Sequence, residues 1–231
     1  MLFPRILPLA ALLLGASPAL SAQELPEDRG MLTRLRVVID SVTFRDVLAS
    51  EFIPEAFDGI TDSIPGEVTM CGRFACLVFA LMTPDQPLGA VELGVRAATG
   101  LTLTPPPADS LPLGVALVDA APPPPPDFMA DPDSLGIIHD LSVVQITVPL
   151  DAMVPLGQAL HRAGIRVDVT GSTLTVTFGA ATLILTQAFD TPGIERIGFV
   201  LRYEAPGNPT YRFGPKSALR FGPGREANWS F

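Results

Sequence analysis

The clearest alternation of apolar and polar positions lies in the C-terminal half of the chain. Ser142–Val148 (SVVQITV) is a β-branched apolar run suited to a buried strand. In PLDAMVPLGQALHRAG, which follows it, Leu156, Ala159, Leu160 and Ala163 recur at helical spacing, and Gly164 stands where a helix stops. Arg166–Thr170 then runs into a Gly171-Ser172 turn. Thr173–Phe178 alternates strictly, and Thr182–Ala188 follows a short Gly179-Ala180 turn. Ile194–Glu204 forms a last strand after Asp190-Thr191-Pro192-Gly193. The pattern predicts a β-α-β-β-β unit with a hairpin sharing an extra edge. Period two puts Leu174, Val176 and Phe178 toward the helix and Thr173, Thr175 and Thr177 on the opposite face. In the last strand, Ile197, Phe199, Leu201 and Tyr203 form the apolar set, opposite Arg202 and Glu204.

The N-terminal half gives the same order less cleanly. Leu35–Asp40 reads as a strand, and Ser41–Phe57 contains a helix carrying Val47, Leu48 and Phe52. Phe74–Met82, Ala90–Arg96 and Leu113–Asp119 supply three strands. Two tandem β-α-β-β-β units place the protein in the α+β class. Proline punctuates the chain at 104–112 and at Pro122–Pro126, where five consecutive prolines favour a stiff polyproline spacer. The expected organisation is a leader at 1–22, a first unit at 23–121, a Pro-rich linker at 122–138, a second unit at 139–205 and a tail at 206–231.

Composition narrows the setting. Residues 1–22 (MLFPRILPLAALLLGASPALSA) carry Arg5, a short apolar run and a small-residue close at Ala22, the pattern of a cleaved bacterial signal peptide. The mature chain is then expected in the periplasm or secreted. No later stretch has the roughly 20 apolar residues that span a bilayer. The formal charge of −9 and the single lysine (Lys216) argue against nucleic acid, which needs a basic face. In an oxidising compartment Cys71 and Cys76, in C-G-R-F-A-C, are read as a short structural disulfide, with two free buried thiols or a catalytic pair as the alternatives. No G-x-S-x-G, phosphate-cradling loop, H-E-x-x-H or dinucleotide fingerprint occurs, so common hydrolase and nucleotide chemistries have no anchor.

The element order, together with RVVIDSVTFRDV at 36–47 and GIERIGFVLRYE at 193–204, resembles the vicinal oxygen chelate superfamily of glyoxalase and bleomycin-resistance-like proteins. The resemblance covers most of residues 32–204. It implies a cupped mixed sheet with helices on the convex side and a metal and substrate on the concave side. It also implies a His or Gln at the start of each unit's first strand and a Glu late in each unit. The first-strand position falls on Arg36, with its counterpart near Val143. An arginine is a permanent cation and valine has no lone pair, so neither serves as a ligand. A metal set drawn from Glu92, His139, Gln145 and Glu204 is the alternative, and would serve a lyase, isomerase or dioxygenase-like enzyme. With a degraded metal site, no cofactor is expected. Arg36, Thr173, Thr175, Thr177, Arg202 and Glu204 then line a polar cup or a solvated sheet face. The expected partner is a small molecule or an envelope protein, and a homodimer is left open. His161, beside Arg162 near a helix end, suits a cation-favouring terminus. His139-Asp140 could form an oriented general base. In the tail, Arg212-Phe213-Gly214-Pro215 recurs as Arg220-Phe221-Gly222-Pro223, and Trp229 and Phe231 are expected to pack back on the sheet edges.

Overall fold

Among the described residues, fourteen strands and three helices are assembled in two mixed sheets, an α+β arrangement dominated by strands. The computed structural model describes residues 30–57, 59–61, 64–106, 115–120, 136–179, 181–188 and 193–231. The leader expected at 1–22 and residues 122–135 of the expected Pro-rich linker lie outside the described residues.

The first half contributes β1 (Met31–Ile39), α1 (Ser41–Leu48), α2 (Phe52–Ala56), β2 (Gly59–Thr61), β3 (Glu67–Cys71), β4 (Cys76–Leu81), β5 (Val91–Arg96) and β6 (Val115–Asp119). They form a six-stranded sheet ordered β2-β3-β4-β1-β5-β6. The second half contributes β7 (Ile138–Val148), α3 (Leu150–Arg162), β8 (Arg166–Thr170), β9 (Thr173–Phe178), β10 (Ala181–Gln187) and β11 (Gly193–Leu201). The tail adds β12 (Thr210–Phe213), β13 (Ser217–Phe221) and β14 (Glu226–Ser230), giving an eight-stranded sheet ordered β12-β13-β14-β11-β7-β10-β9-β8. Within each sheet the same motif recurs. The first strand pairs in parallel with the fourth (β1 with β4, β7 with β10), and the fifth joins its other side antiparallel (β5, β11).

The second half follows its hydrophobic pattern closely. Leu174, Val176 and Phe178 are buried, Leu174 lies against Gly157 of α3, and Thr173, Thr175 and Thr177 point the other way. Leu156, Ala159, Leu160 and Ala163 have no exposure, and Gly164 ends the helix at φ +79°. Two boundaries move. β7 begins at Ile138, so His139 is a strand residue and not a loop residue. β11 ends at Leu201, leaving Tyr203 half exposed rather than in the apolar set.

In the first half three strands are displaced from expectation. β2 and β3 are additional, the strand expected at Phe74–Met82 is β4, the fourth of its unit, the one expected at Ala90–Arg96 is β5, and the described part of the one expected at Leu113–Asp119 is β6. β6 pairs parallel with β5 at the sheet edge, outside the recurring motif. The cause lies in β3, Glu-Val-Thr-Met-Cys, whose alternation is short and ends in a cysteine that suggested a loop. Asp40 explains the start of α1: its carboxylate accepts from the Val42 and Thr43 amides at 2.9 and 3.0 Å.

One continuous apolar core runs through both sheets. Phe57 meets Phe199 edge-on, and Phe79 of β4 meets Trp229 of β14 with centroids 4.7 Å apart. Trp229 is fully buried, and its indole N–H donates to Ser217 Oγ at 2.6 Å. The tail is therefore a three-strand extension of the sheet. Its two Arg-Phe-Gly-Pro segments are strand ends: Phe213 and Phe221 are buried, and the Gly-Pro pairs begin the turns. At the first repeat Gly214 has φ +70° and donates its N–H to Asp46 Oδ2 at 2.8 Å. A Cβ there would fall 2.5 Å from Thr43 Oγ1, so only glycine lets the turn dock on α1.

Candidate functional site

The registers superpose the two halves residue by residue. Leu35 of β1 pairs with Leu77 and Leu93, and Val144 of β7 pairs with Leu183 and Ile197. Arg36 is thus the counterpart of Gln145, one step further on, and Val143 is the counterpart of Arg34. This corrects the sequence alignment of Arg36 with Val143 by two residues. The shift arises because β7 starts earlier than its apolar run.

Arg36 is held on both sides. Its Nε donates to Glu67 Oε1 at 2.7 Å, and an Nη donates to Gln86 Oε1 at 2.8 Å. Both side chains of the Arg36–Glu67 pair are mostly buried, with 14% and 15% exposure. Arg34 lies 3.8 Å from Glu67 and 3.8 Å from Glu92, the cross-strand neighbour of Arg36. The two arginines balance the two glutamates across three strands. Sequence reasoning missed Glu67 because it sits in the unread strand β3.

The equivalent face of the eight-stranded sheet carries hydroxyls. Thr177 pairs with Thr182 and Thr173 with Thr186, while Thr175 pairs with Ile184, itself next to Gln145. Gln145 faces Arg196 across β11 and donates from Nε2 to Glu195 Oε2. Thr177 is exposed and Thr173 and Thr175 are half-buried, so this face is open.

The remaining candidates lie elsewhere. His139 and Gln145 are six residues apart on β7, roughly 20 Å at about 3.3 Å per residue. Glu204 is exposed beyond the end of β11, where its Oε1 accepts from the Gly224 amide at 3.3 Å. Arg202 lies at the same end of β11, beside the start of β7, with its backbone N–H on Ile137 O and its Nε on Gly136 O, both at 2.9 Å. Glu92 is on the six-stranded sheet. Glu92, His139, Gln145 and Glu204 are therefore not brought together, and no group of three or more His, Cys, Asp or Glu suited to a metal occurs among the described residues. At the paired first-strand positions stand an ion-paired guanidinium and an amide, flanked on the parallel strands by Val78, Ala80, Ile184 and Thr186. That donor set does not fit a divalent metal.

One buried carboxylate stands out. Cys71 and Cys76 are disulfide-bonded cross-strand partners. The loop between them lies on the start of β7: the Arg73 amide donates to His139 O at 2.9 Å, and the Phe74 amide to Asp140 Oδ2 at 3.1 Å. The Leu141 amide donates to Asp140 Oδ1 at 2.9 Å. A Cβ on Gly72 would sit 2.8 Å from His139 O, so the loop approaches this closely only with glycine. Asp140 is 5% exposed. Burial pushes its carboxyl up to about 7, against the opposing pull of the amides and of Arg73. The adjoining cavity, lined in part by Met31, Phe74 and Phe178, measures about 10 Å³, room for one water. Asp140 clamps the first half to the second.

Among solved structures the chain is similar to a xylose isomerase-like TIM barrel/4-hydroxyphenylpyruvate dioxygenase fusion protein, at 13% identity and a TM-score of 0.43 over 73% of this chain. It spans 36% of that protein's length. It is also similar to a variant of 4-hydroxymandelate synthase from Streptomyces coelicolor, at 13% identity and a TM-score of 0.37, covering 74% of this chain and 70% of that one. No protein-family model and no curated protein matches the chain.

Proposed function

We propose that this chain is an exported binding protein that uses a vicinal oxygen chelate-like scaffold without metal-dependent turnover, and that it engages an envelope partner. The observation that carries this reading is Arg36, fixed to Glu67 and Gln86 where a first-strand ligand would be expected. Export is supported by the leader-like residues 1–22 and by the Cys71–Cys76 disulfide, which suits an oxidising compartment. No helix among the described residues is long and apolar enough to cross a membrane. The open face bearing Thr173, Thr175, Thr177 and Arg196 offers hydroxyl and guanidinium donors to that partner.

Cosedimentation of the purified protein with isolated cell-envelope fractions tests this. The wild type should pellet with the envelope in the presence of EDTA, and Thr175→Arg and Arg196→Glu, both folded, should stay in the supernatant. Failure of the wild type to pellet, or equal pelleting of both variants, contradicts the proposal.

A further inference from the structure

β8 closes one end of the eight-stranded order, and nothing described pairs with its outer edge. Four of its five residues are exposed, Val169 at 70%. Natural sheets blunt such edges with proline, charged side chains or a bulge; Arg-Val-Asp-Val-Thr has no proline or bulge, and its two charges are of opposite sign.

The turn fixes which backbone groups the edge presents. Gly171 and Ser172 form a two-residue loop closing on the pair Thr170–Thr173. In such a hairpin the closing pair exchanges both hydrogen bonds, and bonded and non-bonded pairs then alternate. Asp168 and Arg166 therefore turn their backbone groups toward β9. Val167 and Val169 turn theirs outward.

We propose that the outer edge of β8 is the docking surface for a second copy of this chain, paired antiparallel about a two-fold axis at Val167. The sequence is self-complementary in that register. Val167 meets Val167 of the second copy as a hydrogen-bonded pair. Arg166 then lies opposite Asp168 of the second copy, and Asp168 opposite its Arg166, in the non-bonded positions where side chains approach most closely. Within one chain Arg166 Nε already contacts Asp168 Oδ2 at 2.9 Å, so pairing two edges sets four charges of alternating sign on one face. A register shifted by two residues opposes Asp168 to itself, which like-charge repulsion disfavours. A one-residue shift puts polar side chains against apolar ones. The apolar face also continues outward. Val167 lies near Gly157 of α3, and Val154, one helical turn before Gly157, is 58% exposed.

Sedimentation of the purified protein without any envelope material tests this independently of the proposed function. The wild type should be a concentration-dependent dimer. Arg166→Asp and Asp168→Arg should each weaken dimerisation by about tenfold or more, and the double exchange Arg166→Asp/Asp168→Arg should restore it. Val167→Pro, which removes only an outward N–H, should also give a monomer with an unchanged circular dichroism spectrum. A monomeric wild type, or a dimer indifferent to the single reversals, overturns the proposal. So does a double exchange that fails to restore the dimer while remaining folded.

Discussion

The two sheets share one strand motif and treat its polar face in opposite ways. In the six-stranded sheet the cross-strand pair next to Met70–Leu77 is the disulfide Cys71–Cys76; in the eight-stranded sheet the pair next to Val176–Leu183 is Thr177–Thr182. The first face is further tied by Arg36, Glu67 and Gln86, while the second presents threonines to solvent. The same topology thus hosts one face sealed by covalent and ionic links and one left accessible. This is how a scaffold is separated from a site: the apolar half of each strand sets the fold, and the alternate positions are free to diverge.

The largest expected effect tests how far the second sheet depends on its tail. Trp229→Ala removes a fully buried indole packed against Phe79 and Phe213 and should cost about 3–5 kcal/mol in urea unfolding. A cost below about 1 kcal/mol would mean that β12–β14 are peripheral. Next comes the contrast itself. Cys71→Ser/Cys76→Ser should lose about 2 kcal/mol through the entropy of a short loop, whereas Thr177→Ala/Thr182→Ala should lose under about 1 kcal/mol. Equal losses would erase the distinction between sealed and open faces.

The clamp between the halves gives a pH test. The folded-state pKa of Asp140 is raised from 3.8 to about 7, so between those values the folded protein binds a proton that the unfolded chain has released. Its contribution is full below about pH 4, declines as pH rises toward 7 and is flat beyond. Asp140→Asn should flatten that slope in melts recorded from pH 4 to 8. An unchanged slope would assign the pH dependence to other groups. The smallest effect separates the counterpart residues: Arg36→Ala should cost about 1–2 kcal/mol by stranding the mostly buried Glu67, and Gln145→Ala at its exposed hydrogen bond about 0.5 kcal/mol or less.

The second half was legible because its strands are long, its helix carries a clean apolar stripe and its turns hold glycine. β8 and β9 have the bounds that alternation alone suggests. The first half was not, since β2 is three residues long, β3 carries Glu67 and two sulfur side chains, and β6 joins in parallel across a long connection. Local pattern carries no record of such a partner. The candidate site was legible as a list of polar residues and not as a place. Arg36 is anchored by Glu67, 31 residues on, and Asp140 by the Phe74 amide, 66 residues away. Only the registers that bring distant strands together reveal those partners. The close approach of Gly72 to His139 and Asp140 was equally invisible in the local pattern.

The proposed function rests on first-strand positions that make structural contacts in place of metal binding. It is tested most directly by metal content of protein purified without added metal, with thermal melts after Zn, Mn, Ni or Fe(II) is supplied. The account predicts no stoichiometric metal and no shift, where a ligand at 100 times its dissociation constant would add about 2.7 kcal/mol. A stoichiometric metal lost on Glu92→Ala or Glu204→Ala would contradict it.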